Sequence, residues 1–396
     1  MGGGWPIFDE EQIAAVTEVL RSGKVNYWTG QVGRTFEREF AAACEAEHAI
    51  ALANGTVAIE LALLSLGIGA GDEVVVTPRS FIASASAVAF IGATPVFADI
   101  DPDSQNITPE TATAVLTPKT KAIIAVHLAG WPCDMDGFRR LADRHGLALI
   151  EDCAQAHGAC HKGRPVGGLG DVAAFSFCQD KIITTGGEGG MLVTSDKDLW
   201  ARAWALKDHG KSHEAVYHRE HKPGFRWLHE SIGTNWRMTE MQAAIGRIQL
   251  GQLDDWRKKR QENAHCLAEA AAGLSAFRAP LPPTDIEHAF YRFYLFVEPG
   301  RLAPGWDRDR IMSAIVEAGV PCFSGSCSEI YKEKAFQPFG LNDLDLPVAH
   351  ELSETSLAFL VHPTLTADEL DKACRALRAV GEAATAEDAP KARAVG

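Results

Sequence analysis

"EVVVTPRSFIASASAVAFIGATPVFADI", residues 73–100, holds two apolar β-rich runs on either side of a small-residue helical stretch. "EVVVTP" reads as a strand ending at Pro78, "SFIASASAVAFIG" as a helix closed by Gly92, and "TPVFADI" as a second strand. The same alternation continues through "KTKAIIAVHL" (a strand), "MDGFRRLADRHG" (a helix), "LALIEDCAQ", "DVAAFSF" and "GGMLVTS". Strands this apolar cannot keep one face in water. They predict an α/β fold with a mostly parallel sheet covered on both faces. Ligands of such sheets bind at the carboxyl ends of the strands.

Before this region come two amphipathic helices, "EEQIAAVTEVLRSG" and "RTFEREFAAACEA", joined by the aromatic loop "KVNYWTGQVG". After it, "MTEMQAAIGRIQLGQLDDWRKKRQENAHCLAEAAAG" has helical period, with Gly246 and Gly251 expected to weaken it locally. "AFYRFYLFV", "DRDRIMSAIVEAG" and "TADELDKACRALRAVGEAA" supply a strand and two helices of a second, smaller α+β unit. The expected division is a large unit over residues 1–252, a small unit over 253–383, and an aperiodic tail over 384–396.

The 396 residues carry a net charge of −14, which argues against nucleic acid as a partner held by bulk electrostatics. The nine cysteines are scattered, with no CxxC pair, so neither a zinc ribbon nor a thioredoxin-like site is indicated, and no metal is expected. No secretory signal is visible at "MGGGWPIFDEEQ" and no apolar stretch reaches the ~20 residues of a membrane span. Reduced thiols in a cytoplasm are the expectation, with no membrane association.

Several short stretches carry candidate chemistry. Asn54-Gly55-Thr56 precede a helical run, where Gly55 and Thr56 could hold a phosphate, or where Asn54 or Thr56 could simply cap the helix. Glu151 and Asp152 end a buried strand, and by alternation one of them faces the ligand end. A carboxylate there needs a cation or a donor, such as a protonated ring nitrogen or an arginine. Gln155 could donate to an oxygen of the same ligand or cap a turn. Phe81 could lie against a planar ring or belong to the core. In "SFCQDKIITTGGEGGMLVT", residues 176–194, Ser176 can reach a phosphate oxygen. Lys181 there is either a solvated loop residue or an amine able to condense with an aldehyde, and the glycines around it permit close backbone approach. One ligand uses all of these features at once: pyridoxal 5′-phosphate, with its phosphate, protonatable ring nitrogen, flat face and aldehyde.

The ordered set NGT-x-A, P-x-S-F-x-A, EDCAQAHGA, SF-x-x-x-K with GGEGG, and GTNWRM-x-E-x-QAAIG resembles the DegT/DnrJ/EryC1/StrS aminotransferases, from about residue 5 to about residue 380. The resemblance implies a fold-type-I, pyridoxal-phosphate-dependent transferase with a seven-stranded-type sheet. Such an enzyme moves an amino group from L-glutamate to a keto-sugar carried on a nucleotide, for a surface polysaccharide, lipopolysaccharide or secondary metabolite.

The resemblance implies that Lys181 joins the cofactor's aldehyde and shuttles the proton, and that Asp152 partners the ring nitrogen. Gln155 would lie beside the ring's phenolic oxygen, Phe81 over the ring, and Gly55, Thr56 and Ser176 around the phosphate. It also implies a homodimer in which Asn235 reaches the partner's phosphate, and it offers Trp28 and Thr29 as substrate contacts, although core or interface packing of Tyr27 and Trp28 is the competing reading. A branch of the family carries histidine in place of the lysine and removes a hydroxyl, so Lys181 speaks for amination. A sugar dehydratase or a cyclitol aminotransferase of the same family, and a non-catalytic regulatory protein on the same fold, are the alternatives. "GVPCFSGSCSEIYKEKAF", residues 319–336, departs from the familiar members where relatives approach their substrate, so their sugar specificity does not carry over.

Overall fold

The structure is a computed structural model and describes residues 4–341 and 343–386. Its centre is a seven-stranded sheet built from β1 (His48–Leu52), β2 (Glu73–Val76), β3 (Thr94–Phe97), β4 (Thr120–Val126), β5 (Ala148–Asp152), β6 (Val172–Ser176) and β7 (Gly190–Thr194), in the order β1-β7-β6-β5-β4-β2-β3. Only β7 runs antiparallel to its neighbours. Six of these strands are the apolar runs recognised above. The seventh, "HAIAL", holds a single β-branched residue among alanines and does not stand out.

The continuous apolarity of the strands follows from burial on both sides. On β6, Val172 and Ala174 join one core cluster while Ala173 and Phe175 join the other. On β7, Leu192 joins the first, and Met191 and Val193 join the second. Side chains alternate across a strand, so a strand covered on both faces cannot alternate in polarity. The helix Gly55–Ser65 packs over one face, and the helix Val32–Ala43 helps cover the other.

The helical run after the sheet forms one unbroken helix, Glu240–Ala271, which passes through the expected 252/253 division. A capping box starts it: Thr239 accepts from the Gln242 N–H, and the Gln242 side chain accepts in return from the Thr239 N–H. Its first half packs with the large unit through Ala243 and its second half with the small unit through Ala264, Leu267, Ala270 and Ala271. Gly246 does not weaken it in the expected way but fits it to its neighbour, because an added Cβ would lie 2.5 Å from the Phe36 ring. Gly246→Ala is therefore expected to destabilise the fold by about 1–3 kcal/mol through overpacking, measurable as a lower urea midpoint.

The small unit holds a four-stranded antiparallel sheet formed by Phe277–Arg278, Phe293–Val297, Ser356–Phe359 and Cys322–Phe323. Residues 384–386, expected to open the tail, are tied to the fold. Ala384 is buried in the last helix, Thr385 bridges to Leu302, and the Ala386 N–H donates to the Arg301 carbonyl. Residues 387–396 lie outside the described residues. Among the described residues no helix is long and apolar enough to cross a membrane.

Candidate active site

At the carboxyl ends of the strands lies a cavity of about 960 Å³ that the large and small units line together. Gly55, Thr56, Phe81, Asp152, Gln155, Ser176 and Lys181, all singled out in the sequence, lie on its wall.

Asp152, the last residue of β5, is 4% exposed. Its Oδ2 accepts from the Ser84 hydroxyl at 2.7 Å and its Oδ1 from the Ala154 N–H at 3.1 Å, so among the described residues it has donors but no cation. Glu151 resolves the other half of the carboxylate pair. It is buried away from the cavity and accepts from the N–H groups of Gly167, Leu169 and Gly170 at 3.0, 2.8 and 2.8 Å, with His127 Nε2 at 3.1 Å. Burial alone would push its carboxyl up. The hydrogen bond and charge of His127 and the backbone donors outweigh this and hold it below the usual range. Glu151 fastens the loop at 167–170, while Asp152 lines the cavity.

At the Asn54–Thr56 stretch the structure shows the cap on Asn54. The Asn54 side chain caps the helix Gly55–Ser65 by accepting from the Val57 N–H at 3.0 Å. The N–H groups of Gly55 and Thr56 have no acceptor among the described residues and lie at the positive end of the helix. Ser176 ends β6 beside them. The approach is so close that a Cβ on Gly55 would lie 2.6 Å from the Ser176 Cβ.

Lys181 sits in the connection between β6 and β7, and its side chain is only 12% exposed. The loop folds back on itself through the Phe177 N–H to the Gly189 carbonyl at 2.7 Å and the Thr185 N–H to the Phe177 carbonyl at 3.2 Å. Gly187, at φ 121°, makes the return that a side chain would resist. Outside the loop, the Trp5 indole N–H donates to the Lys181 carbonyl at 2.8 Å. The Lys181 Nζ lies 3.9 Å from Asp180 Oδ1 and 4.7 Å from the Tyr291 ring centre.

Gln155 has its Oε1 committed to the Ala129 N–H at 2.8 Å, a pairing that assigns the amide and leaves its NH2 as the end free for a ligand. Phe81 is 66% exposed at the cavity, so it is not a core residue of this chain.

Three sequence candidates lie elsewhere. Asn235 is exposed, bridges Asp208 and does not line this chain's own cavity. Trp28 packs among Tyr27, Trp204 and Tyr217, with the Lys211 ammonium 4.2 Å from its ring, and Thr29 turns back on the Asn26 carbonyl. Within a single chain Trp28 is packed against these rings and does not line the cavity. Residues 319–336 do reach the cavity, through Phe323, Gly325, Ser326, Cys327 and Glu333. They are held there by the Ser80 N–H to the Cys327 carbonyl at 3.1 Å and by the fully buried Arg79, whose guanidinium faces the Ser326 carbonyl at 3.4 Å.

Sequence reasoning missed Tyr291, Arg292 and Tyr294, which line the cavity from the small unit, and Asp180 beside the lysine. An arginine embedded in the aromatic run "AFYRFYLFV" was the available signal.

A seven-stranded sheet with one antiparallel strand, and a lysine and a buried carboxylate converging at its strand ends, is the architecture of fold-type-I, pyridoxal-phosphate-dependent aminotransferases. Comparison with known proteins narrows this class. The DegT/DnrJ/EryC1/StrS aminotransferase family matches residues 6–378. The X-ray structure of the aminotransferase from Psychrobacter cryohalolentis superposes with a TM-score of 0.94 at 56% identity, over 96% of this chain and 98% of that one. The dTDP-3-amino-3,4,6-trideoxy-alpha-D-glucose transaminase of Streptomyces venezuelae is 37% identical over 94% of this chain and 92% of its own. The GDP-perosamine synthase of Caulobacter vibrioides is 38% identical over 88% and 91%. The chain belongs to the DegT/DnrJ/EryC1/StrS aminotransferase family.

Proposed function

We propose that this chain binds pyridoxal 5′-phosphate and transfers an amino group from L-glutamate to a keto-sugar carried on a nucleotide, as a cytoplasmic homodimer. The product would be an amino sugar for a surface polysaccharide or a secondary metabolite. The observation that carries this is the convergence of Lys181, the cation-free carboxylate of Asp152 and the unfilled N–H groups of Gly55 and Thr56 on one cavity. Each suits a different part of one cofactor. The names of the Streptomyces and Caulobacter relatives, which carry dTDP- and GDP-linked sugars, support the substrate class.

When bound, pyridoxal phosphate supplies an aldehyde that takes up the amino group and a ring that draws electrons from the reacting carbon. The chain supplies the rest. Lys181 provides the amine that holds the cofactor and then moves the proton to and from the substrate carbon. Asp152 holds a positive charge at the ring nitrogen, where an anion without another counter-ion favours protonation. Gly55, Thr56 and Ser176 hold the phosphate, with Asn235 of a second copy adding to them. The Gln155 NH2 would donate to the ring oxygen and Phe81 would cover the ring. The large unit carries these groups, while the small unit contributes Tyr291, Arg292 and residues 323–327 toward the substrate.

Gly55→Ala is expected to weaken cofactor binding at least about tenfold, because the added methyl group displaces Ser176 from the phosphate. Titration of the cofactor-free protein with pyridoxal phosphate measures this. The function itself is tested by incubation with nitrogen-labelled glutamate and a panel of keto-sugar nucleotides, read by mass. Label in a sugar nucleotide is the expected result. Transfer only to a cyclitol ketone, or loss of water without label, would replace the proposal with one of its neighbours.

A further inference from the structure

Among the described residues, Lys181 and Arg292 are the only cationic side chains on the cavity wall, facing the acidic Asp152, Asp180, Glu188 and Glu333. Lys181 is committed to the chemistry. The Arg292 guanidinium lies 4.7 Å from the Tyr291 ring centre, the same distance as the Lys181 Nζ. It approaches Asp180 Oδ2 at 3.7 Å, while Lys181 approaches Asp180 Oδ1 at 3.9 Å. Two cations thus share one aromatic ring and one carboxylate.

Their shared carboxylate is already engaged. The Tyr291 hydroxyl donates to Asp180 Oδ2 in a short hydrogen bond. Arg292 itself makes no hydrogen bond among the described residues, and 3.7 Å is beyond hydrogen-bond range. A guanidinium with five donors therefore stands on the cavity wall beside the reactive amine, held loosely by stacking and by a partial counter-ion.

Resting on the aminotransferase function above, we propose that Arg292 receives the α-carboxylate of the amino donor. The carbon that loses the amino group must come within reach of the Lys181 Nζ. The α-carboxylate is one bond from that carbon and so falls beside Lys181, where Arg292 offers a bidentate partner. The pyrophosphate of a nucleotide sugar is attached at the anomeric carbon, farther from a keto carbon elsewhere on the ring. When the neutral sugar follows the donor, Arg292 returns to Asp180, which serves as its counter-ion between the two half-reactions. One cavity can then accept an amino acid and a sugar without leaving a bare charge facing the sugar.

The test is calorimetric titration of the pyridoxal-phosphate-loaded enzyme with 2-oxoglutarate, which binds that form without reacting, and separately with UDP, GDP and dTDP. Arg292→Met is expected to weaken 2-oxoglutarate about 10- to 100-fold, the equivalent of one charge-assisted hydrogen-bonded pair, and to leave the best-bound nucleotide within about twofold. Arg292→Lys should fall between Met and wild type, since it keeps the charge and loses the fork. Retention of the visible cofactor band in both variants establishes that they are folded and loaded. Unchanged affinity for 2-oxoglutarate in Arg292→Met would overturn the proposal. So would a loss confined to the nucleotide, which would assign Arg292 to phosphate. Failure of the wild-type enzyme itself to take up cofactor or amino group would sink the aminotransferase function, and that result is read before any variant is made.

Discussion

Lys181→Ala is expected to abolish amino transfer, with a loss of at least about a thousandfold in kcat. The cofactor band at about 400–430 nm should disappear with it. The expectation follows from the cavity: among the described residues Lys181 is its sole lysine, and Arg292, the other cation, cannot give up a proton near neutral pH. The loop around Lys181 is held by backbone bonds at Phe177, Thr185 and Gly189 and by Trp5 on the lysine's own carbonyl, so removal of the side chain should leave its shape intact. Cofactor should still bind weakly through Gly55, Thr56 and Ser176. Steady-state rates and absorbance spectra check both parts. A variant with wild-type turnover would move the reactive amine elsewhere.

Asp152→Asn should separate holding the cofactor from activating it. The substitution keeps the size of the side chain and removes its charge. One of its two acceptor oxygens becomes an NH2 that faces either the Ser84 hydroxyl or the Ala154 N–H, both of which now donate. The visible band is expected to persist because Lys181 is untouched. The rate at which glutamate bleaches it should fall about 100- to 1,000-fold, the scale of losing one preorganised charge at a reacting centre. Stopped-flow absorbance reads this directly. An unaltered rate would mean that Asp152 is only a structural acceptor for Ser84 and Ala154.

Legibility in the sequence was uneven, for physical reasons. Strands β2 to β7 were readable because burial on both faces forces unbroken apolar runs. β1 was not, because five residues such as "HAIAL" suit a strand or a helix equally until β7 is placed beside them. Asp152, Ser176 and Lys181 were readable because each ends a strand or opens the loop that follows one. The two alternatives at Asn54–Thr56 could not be separated in sequence, since capping and anion binding use different N–H groups of one helix start. Asp180, Tyr291 and Arg292 were hidden for another reason. Their meaning lies in a contact between residues more than a hundred positions apart, and in sequence "FYRFY" is only an alternating strand. Gly246 looked like a helix weakness because the Phe36 ring that requires it lies on a different helix.

The most direct measurement is borohydride reduction of the wild-type enzyme reconstituted with pyridoxal phosphate, which fixes the cofactor on whichever amine holds it, followed by peptide mass mapping. A pyridoxyl phosphate mass on Lys181 alone is the predicted result. The same mass on another lysine, or on none, would contradict the assignment of the cavity.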